Sequence, residues 1–183
     1  MWKRNMVREV VLILGLLLMA GPGRAEEKLK VGDPAPDFTL PGATKDSILA
    51  SGVTLTSEIG KNNIILAFYP ADWSGGCTTE MCTMRDNFAM LADFGAMVFG
   101  ISGDYVYSHR AWAKSLDLPF TLLSDHTHDV AKQYDSFNAT RGNNLRTLYV
   151  IDRRGKIAYV DLDYKAGSPA SFTKLKAALQ TLK

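Results

Sequence analysis

The 183-residue sequence predicts an α/β fold in which a central mixed β-sheet is flanked by helices. Three observations carry this reading. Residues 63–69 (NIILAFY) and 96–102 (AMVFGIS) are short, β-rich and apolar without alternation, the pattern of strands buried on both faces. Helical patterning follows the first run, with Met81, Met84, Phe88 and Leu91 at spacings of three and four. Near the C-terminus two strand-like runs, 145–152 and 156–161, flank an Arg153-Arg154-Gly155 turn and predict an antiparallel pair.

The remaining elements follow in chain order. Asp33-Pro34-Ala35-Pro36 enforces extended or turn geometry, and Phe38 and Leu40 alternate as on an edge strand. Residues 42–60 read as a polar β-hairpin region, an N-terminal extension to the sheet, with residues 57–60 as a single helical turn. Pro70 ends the first buried strand, and Ser74-Gly75-Gly76 signals a turn. The following helix is expected from Thr78 to residue 93 or 94, closed by Gly95. Ser108 is the expected N-cap of a helix over residues 108–114. A short strand at 120–123, a helix at 129–134 and a loop at Asn143-Asn144 come next. Ser168-Pro169 opens the last helix, which sets Phe172, Leu175, Ala178 and Leu179 on one face.

Residues 1–25 stand apart. Lys3, Arg4 and Arg8 precede an apolar run over residues 10–20 that is short for a bilayer span, and Gly21-Pro22-Gly23-Arg24-Ala25 ends in small residues. This is the pattern of a secretory signal peptide cleaved after Ala25, with an uncleaved membrane anchor as the competing reading. Cleavage leaves residues 26–183 as one domain. It removes four basic and one acidic side chain, taking the formal charge from +2 to −1. A basic surface for nucleic acid or membrane is therefore not expected on the mature chain.

The stretch YPADWSGGCTTEMCTMRD, residues 69–86, holds both cysteines, Cys77 and Cys82. Cys77 falls where a strand-loop enters the first turn of a helix, among unpaired N–H groups and the positive end of the helix dipole. Both favour the thiolate, the reactive form of the residue. Five helical steps to Cys82 amount to roughly 500° of rotation and about 7.5 Å of rise. A disulfide needs Cα atoms about 4.4–6.8 Å apart, so joining the two requires the first turns to unwind. The spacing favours a redox switch over an inert disulfide or two unrelated thiols.

These residues carry a family resemblance. Pro70-x-x-x-Ser74-x-x-Cys77 resembles the peroxiredoxin signature, and Cys77-Thr78-Thr79-Glu80-x-Cys82-x-x-Arg85-Asp86 resembles its peroxiredoxin Q, or bacterioferritin comigratory protein, branch. Residues 33–40 and SHRAWAKSLDLPFTLLSD at 108–125 extend the likeness across most of the mature chain. Two positions depart from it: Ser74 replaces the commoner Thr, and Gly75 the usual Pro. The resemblance implies a thioredoxin-like fold, with which the strand–helix order agrees, and a thiol-dependent peroxidase. In that reading Cys77 is the peroxidatic and Cys82 the resolving cysteine. Ser74 offers a hydroxyl to the thiolate or peroxide, Pro70 shapes and shields the loop, and Arg146 supplies the cation. A solvent-exposed strand-end role for Arg146, and Arg141 in its place, are the alternatives. No metal or cofactor is implied. The implied partners are a peroxide substrate and a thioredoxin-like reductant, with the protein a monomer or small dimer in the periplasm or secreted.

Other residues carry less. Glu80 sits where the helix dipole welcomes an acid, and could instead hold Arg146 or Arg85. His109 and Trp112 fit packing better than catalysis. His126-x-His128 lacks the further ligands of a metal site, and the sequon Asn138-Ala139-Thr140 reads as accidental. Two other functions on such a fold fit the spacing less well. A disulfide oxidoreductase typically uses Cys-x-x-Cys and a copper chaperone Cys-x-x-x-Cys, whereas four residues separate the cysteines here.

Overall fold

A computed structural model describes residues 28–182. The leader reading of residues 1–25 lies outside this range. Strand β3 (Asn63–Phe68) is buried along its whole length and forms the axis of the molecule. Its side chains alternate between two cores, as a period-two element between two helical layers must. Ile65, Ala67 and the following Tyr69 point to one core and Ile64, Leu66 and Phe68 to the other. This is why the run reads as continuously apolar.

Around β3, a seven-stranded mixed sheet has the order β2-β1-β5-β4-β3-β8-β9. Strands β4 (Ala96–Ser102) and β5 (Thr121–Ser124) run parallel to β3; on the other side β8 (Thr147–Ile151) pairs antiparallel with β3, and β9 (Ile157–Asp161) antiparallel with β8. The N-terminal hairpin of β1 (Thr39–Ala43) and β2 (Ile48–Thr54) docks on β5 and forms one edge. Helices α2 (Gly75–Asp86), α3 (Phe88–Asp93), α4 (Val106–Ser115) and α6 (Pro169–Gln180) cover one face through Met81, Met84, Leu91, Trp112, Leu175 and Leu179. The other face receives Leu55 of α1 (Leu55–Glu58) and Val130 and Ala131 of α5 (Asp129–Gln133). No helix among the described residues is long and apolar enough to cross a membrane.

Several boundaries differ from the sequence expectation. The helix expected to run unbroken to residue 93 or 94 is interrupted at Asn87, whose side-chain amide donates to the Thr83 carbonyl at 2.9 Å and competes with the backbone ladder. It also begins earlier, at Gly75, with Ser74 as N-cap. Helix α4 is capped by Tyr105, not Ser108, whose hydroxyl is used elsewhere. The single turn of α1 lies two residues before its expected place. Asn143-Asn144 is strand β7, after β6 (Phe137–Asn138), with which it pairs as a two-stranded ribbon. Leu145 and Arg146 precede β8 rather than opening it. Ser168 caps α6 as expected, accepting from the Ser171 N–H at 3.3 Å.

Candidate active site

The site forms at the carboxyl end of β3, where the sheet register gathers residues distant in sequence. The Tyr69 N–H extends the β3–β4 pairing by donating to the Ile101 carbonyl at 3.0 Å. Pro70 has no N–H to continue it, so the chain leaves the sheet there. Residues 71–74 then turn the chain into α2. Its first i→i+4 bond, Thr78 N–H to Ser74 carbonyl, is 2.8 Å long. The amides of residues 75–77 therefore occupy the helix positions without an intrahelical acceptor. Cys77 is the third residue of α2 and 1% exposed, packed in the same core as Met81 and Tyr164.

Arg146 arrives by register. Phe68 pairs with Thr147 across the antiparallel β3–β8 ladder, so the residue before Thr147 stands beside the loop after Phe68. Its Nη2 lies 3.4 Å from the Cys77 sulfur. Nη1 donates to Oε2 of Glu80, one turn along the inner face of α2. Gly76 permits this approach, because a Cβ there would lie 3.2 Å from Nη2. The guanidinium is thus shared between a sulfur and a carboxylate, the placement needed to hold a thiolate or a developing oxyanion. Arg141, the alternative, sits in the exposed turn between β6 and β7, with its N–H on the Asn138 carbonyl.

Glu80 is fully buried and its Oε1 has no hydrogen-bond partner. Burial pushes its carboxyl up from 4.5 to about 7, with the Arg146 guanidinium offsetting part of the rise. A carboxyl raised in the folded state stabilises the fold fully below its unfolded value, and that contribution is lost as pH rises through the folded value. Relative to Glu80→Gln, the reduced wild-type protein should lose about 3 kcal/mol of stability between pH 4.5 and pH 8. Urea denaturation of both proteins across this range measures it; a pH-independent difference would contradict the assignment.

Not every expected residue reaches the sulfur. The Ser74 hydroxyl donates to the Ala71 carbonyl at 3.3 Å and is exposed, so in this structure it braces the loop. Cys82 lies on another face of α2 from Cys77, half-buried, and both cysteines are free thiols. Arg85 donates to Asp86 and, at 2.8 Å, to the Leu116 carbonyl. The two loop histidines are engaged within the protein, His126 with Tyr105 and Gly103 and His128 with Asn144. Among the described residues no three His, Cys, Asp or Glu groups stand together as a metal site. His109 and Trp112 are buried as the packing reading holds, but His109 also bonds Asp72, a residue the sequence reading passed over. Only its place, three residues after Tyr69 at the end of a buried strand, could have drawn attention to it.

A family model described as AhpC/TSA family matches residues 31–160. The chain belongs to the AhpC/TSA family. Its sequence is 41% identical over 137 residues to the chloroplastic peroxiredoxin Q of Triticum aestivum, a match covering 73% of this chain and 59% of that relative. It is 40% identical over 137 residues to the chloroplastic peroxiredoxin Q of Sedum lineare, covering 73% of this chain and 69% of that one. The chain thus spans about three fifths of the length of the first relative. Among solved structures, peroxidoxin BcpB of Mycobacterium tuberculosis superposes with a TM-score of 0.73 at 29% identity, covering 85% of this chain and 99% of that one. The reduced 2-Cys peroxiredoxin of Plasmodium vivax gives 0.73 at 27% identity, covering 82% of each. Membership of the AhpC/TSA family bears out the resemblance read from residues 69–86 and the thioredoxin-like α/β fold.

Proposed function

We propose that this AhpC/TSA-family chain is a thiol-dependent peroxidase, acting on hydrogen peroxide or organic hydroperoxides. The observation that carries the reading is the Arg146 guanidinium 3.4 Å from a buried cysteine sulfur at a helix start. The Cys77 thiolate attacks the distal peroxide oxygen; an S–O bond forms as the O–O bond breaks. The sulfur becomes a sulfenic acid, and the leaving oxygen departs as alcohol or water after taking a proton. Arg146 and the free amides of the first turn face the charge that grows on the oxygens.

Cys82 then attacks the Cys77 sulfur, water leaves, and an intramolecular disulfide closes. Helix geometry keeps the two sulfurs apart, so this step requires α2 to unwind between them. An external dithiol, by this reading a thioredoxin-like protein, returns both cysteines to thiols by exchange. The leader pattern of residues 1–25 supports export to the periplasm or beyond, and a monomer or small dimer agrees with the branch.

Mass spectrometry of peroxide-treated protein tests the scheme. Wild type should lose two hydrogens and gain no oxygen, with Cys77 and Cys82 joined. Cys82→Ser should instead gain one oxygen, trapped by a sulfenic-acid reagent on Cys77. Oxygen retained on the wild-type protein, or a Cys82→Ser mass unchanged by peroxide, would contradict it.

A further inference from the structure

Behind the loop leading into α2 lies a buried polar cluster that the chemistry above does not use. The side chains of Asp72 and His109 are both completely buried and face each other, with Asp72 Oδ2 2.9 Å from His109 Nδ1. Asp72 Oδ2 also accepts from the Ser108 hydroxyl at 2.7 Å, and its Oδ1 accepts from the Tyr69 hydroxyl at 2.8 Å. Burial and the Asp72 charge raise the Tyr69 phenol well above its ordinary value, which keeps it a donor. The second ring nitrogen of His109, Nε2, is 3.1 Å from the Leu123 carbonyl oxygen of β5. Both ring nitrogens of His109 and both carboxylate oxygens of Asp72 therefore have partners, which fixes the orientation of each side chain. Burying polar groups is costly, and apolar residues of the same size would fill the space at less cost. What the pair supplies is a fixed position for the chain at Asp72.

The neighbouring contacts point the same way. The Asp72 N–H donates to Asp104 Oδ2 at 2.8 Å, and that oxygen also accepts from the Ser102 hydroxyl. Trp73 has φ 61°, a left-handed conformation unfavourable for a bulky residue, and is held in it. Its Nε1 donates to the Ser108 hydroxyl at 3.1 Å, and its ring lies 6.4 Å from that of Trp112. At the far end of α2, Arg85 donates to the carbonyl of Leu116, the C-cap residue of α4. The segment holding both cysteines is thus fastened at each end to one helix, α4.

We propose that Asp72 and His109 are positioning residues for Cys77, a latch that keeps its sulfur against Arg146 while peroxide reacts and confines the later unwinding of α2 to the residues beyond it. The proposal rests on the thiol-peroxidase reading. Loosening the latch lets the loop drift toward the unwound form. Oxidation then slows because the sulfur leaves its place, whereas disulfide closure does not slow, because the unwinding it needs has become easier.

Asp72→Asn and His109→Gln test this with two readouts. Hydrogen exchange on the reduced proteins should show amides 71–78 exchanging at least about tenfold faster, with β3 and β4 unchanged. Stopped-flow fluorescence with hydrogen peroxide should show oxidation slowed by about tenfold or more, with closure as fast as in wild type or faster. Unchanged exchange at residues 71–78, or both kinetic phases slowed by the same factor, overturns the latch. Should either variant fail to fold, Ser108→Ala removes two of the latch bonds at less cost, and the same pattern at smaller size is expected; no change in either readout overturns the proposal. If wild type reacts with peroxide no faster than free cysteine, the peroxidase reading fails by itself, and the exchange pattern alone still decides whether the latch exists.

Discussion

Cys77→Ser abolishes the fast reaction with hydrogen peroxide, leaving a rate at least about 1,000-fold lower, that of an ordinary thiol. The chain has two cysteines, and only Cys77 combines a first-turn helix position with a guanidinium at 3.4 Å. Cys82 remains in the variant, but it lies half-buried on another face of α2, beside Arg85 rather than Arg146. Serine keeps the shape and loses the thiolate, so the fold is retained while the nucleophile is gone. Pseudo-first-order kinetics over a range of peroxide concentrations measure the effect. A Cys77→Ser protein that still reacts rapidly would move the nucleophile to Cys82 and reverse the assigned roles.

Arg146→Gln lowers the same rate constant by about 10²–10³, the scale expected when one preorganised donor to a developing oxyanion is removed from a water-poor site. Glutamine still spans part of the distance and can donate a hydrogen bond, but it brings no charge. The variant also leaves the buried Glu80 without its cation. Unpaired, that carboxyl takes up a proton rather than carry a buried charge, so the fold should survive. Circular dichroism of the reduced variant beside the peroxide kinetics separates the two effects. A native spectrum with an undiminished rate would show that Arg146 only neutralises Glu80. Arg146→Lys should recover only part of the loss, because one ammonium cannot face Cys77 and Glu80 in the forked geometry that the guanidinium uses.

Local signals carried much of this architecture. The apolar run of β3, the helical spacing of Met81 and Met84, and the Ser168-Pro169 start of α6 each have a period or a cap that a single sequence shows. Cys77 was legible for the same reason, since a strand, a turn and a helix start bracket it. The break at Asn87 was not, because it depends on whether one amide side chain turns back to the Thr83 carbonyl. Nor was the cap of α4. Ser108 has the chemistry of an N-cap, yet a tertiary partner, Asp72, claims its hydroxyl. Arg146 could be assigned only through family resemblance, because its approach to Cys77 follows from strand register across 69 positions of sequence. The Asp72–His109 pair, 37 positions apart, leaves no periodic trace at all. Contacts set by topology lie beyond patterns read within a window.

The most direct test is the second-order rate constant for reduced protein with hydrogen peroxide, followed by tryptophan fluorescence. Trp73 is 58% exposed and sits four residues before Cys77, so a change at the sulfur should register in its emission. A first phase linear in peroxide concentration and at least about 1,000-fold faster than free cysteine, followed by a phase independent of peroxide as the disulfide closes, is the predicted result. A single phase at the rate of free cysteine would contradict the account, because a Cys77 held beside Arg146 would then have no catalytic consequence.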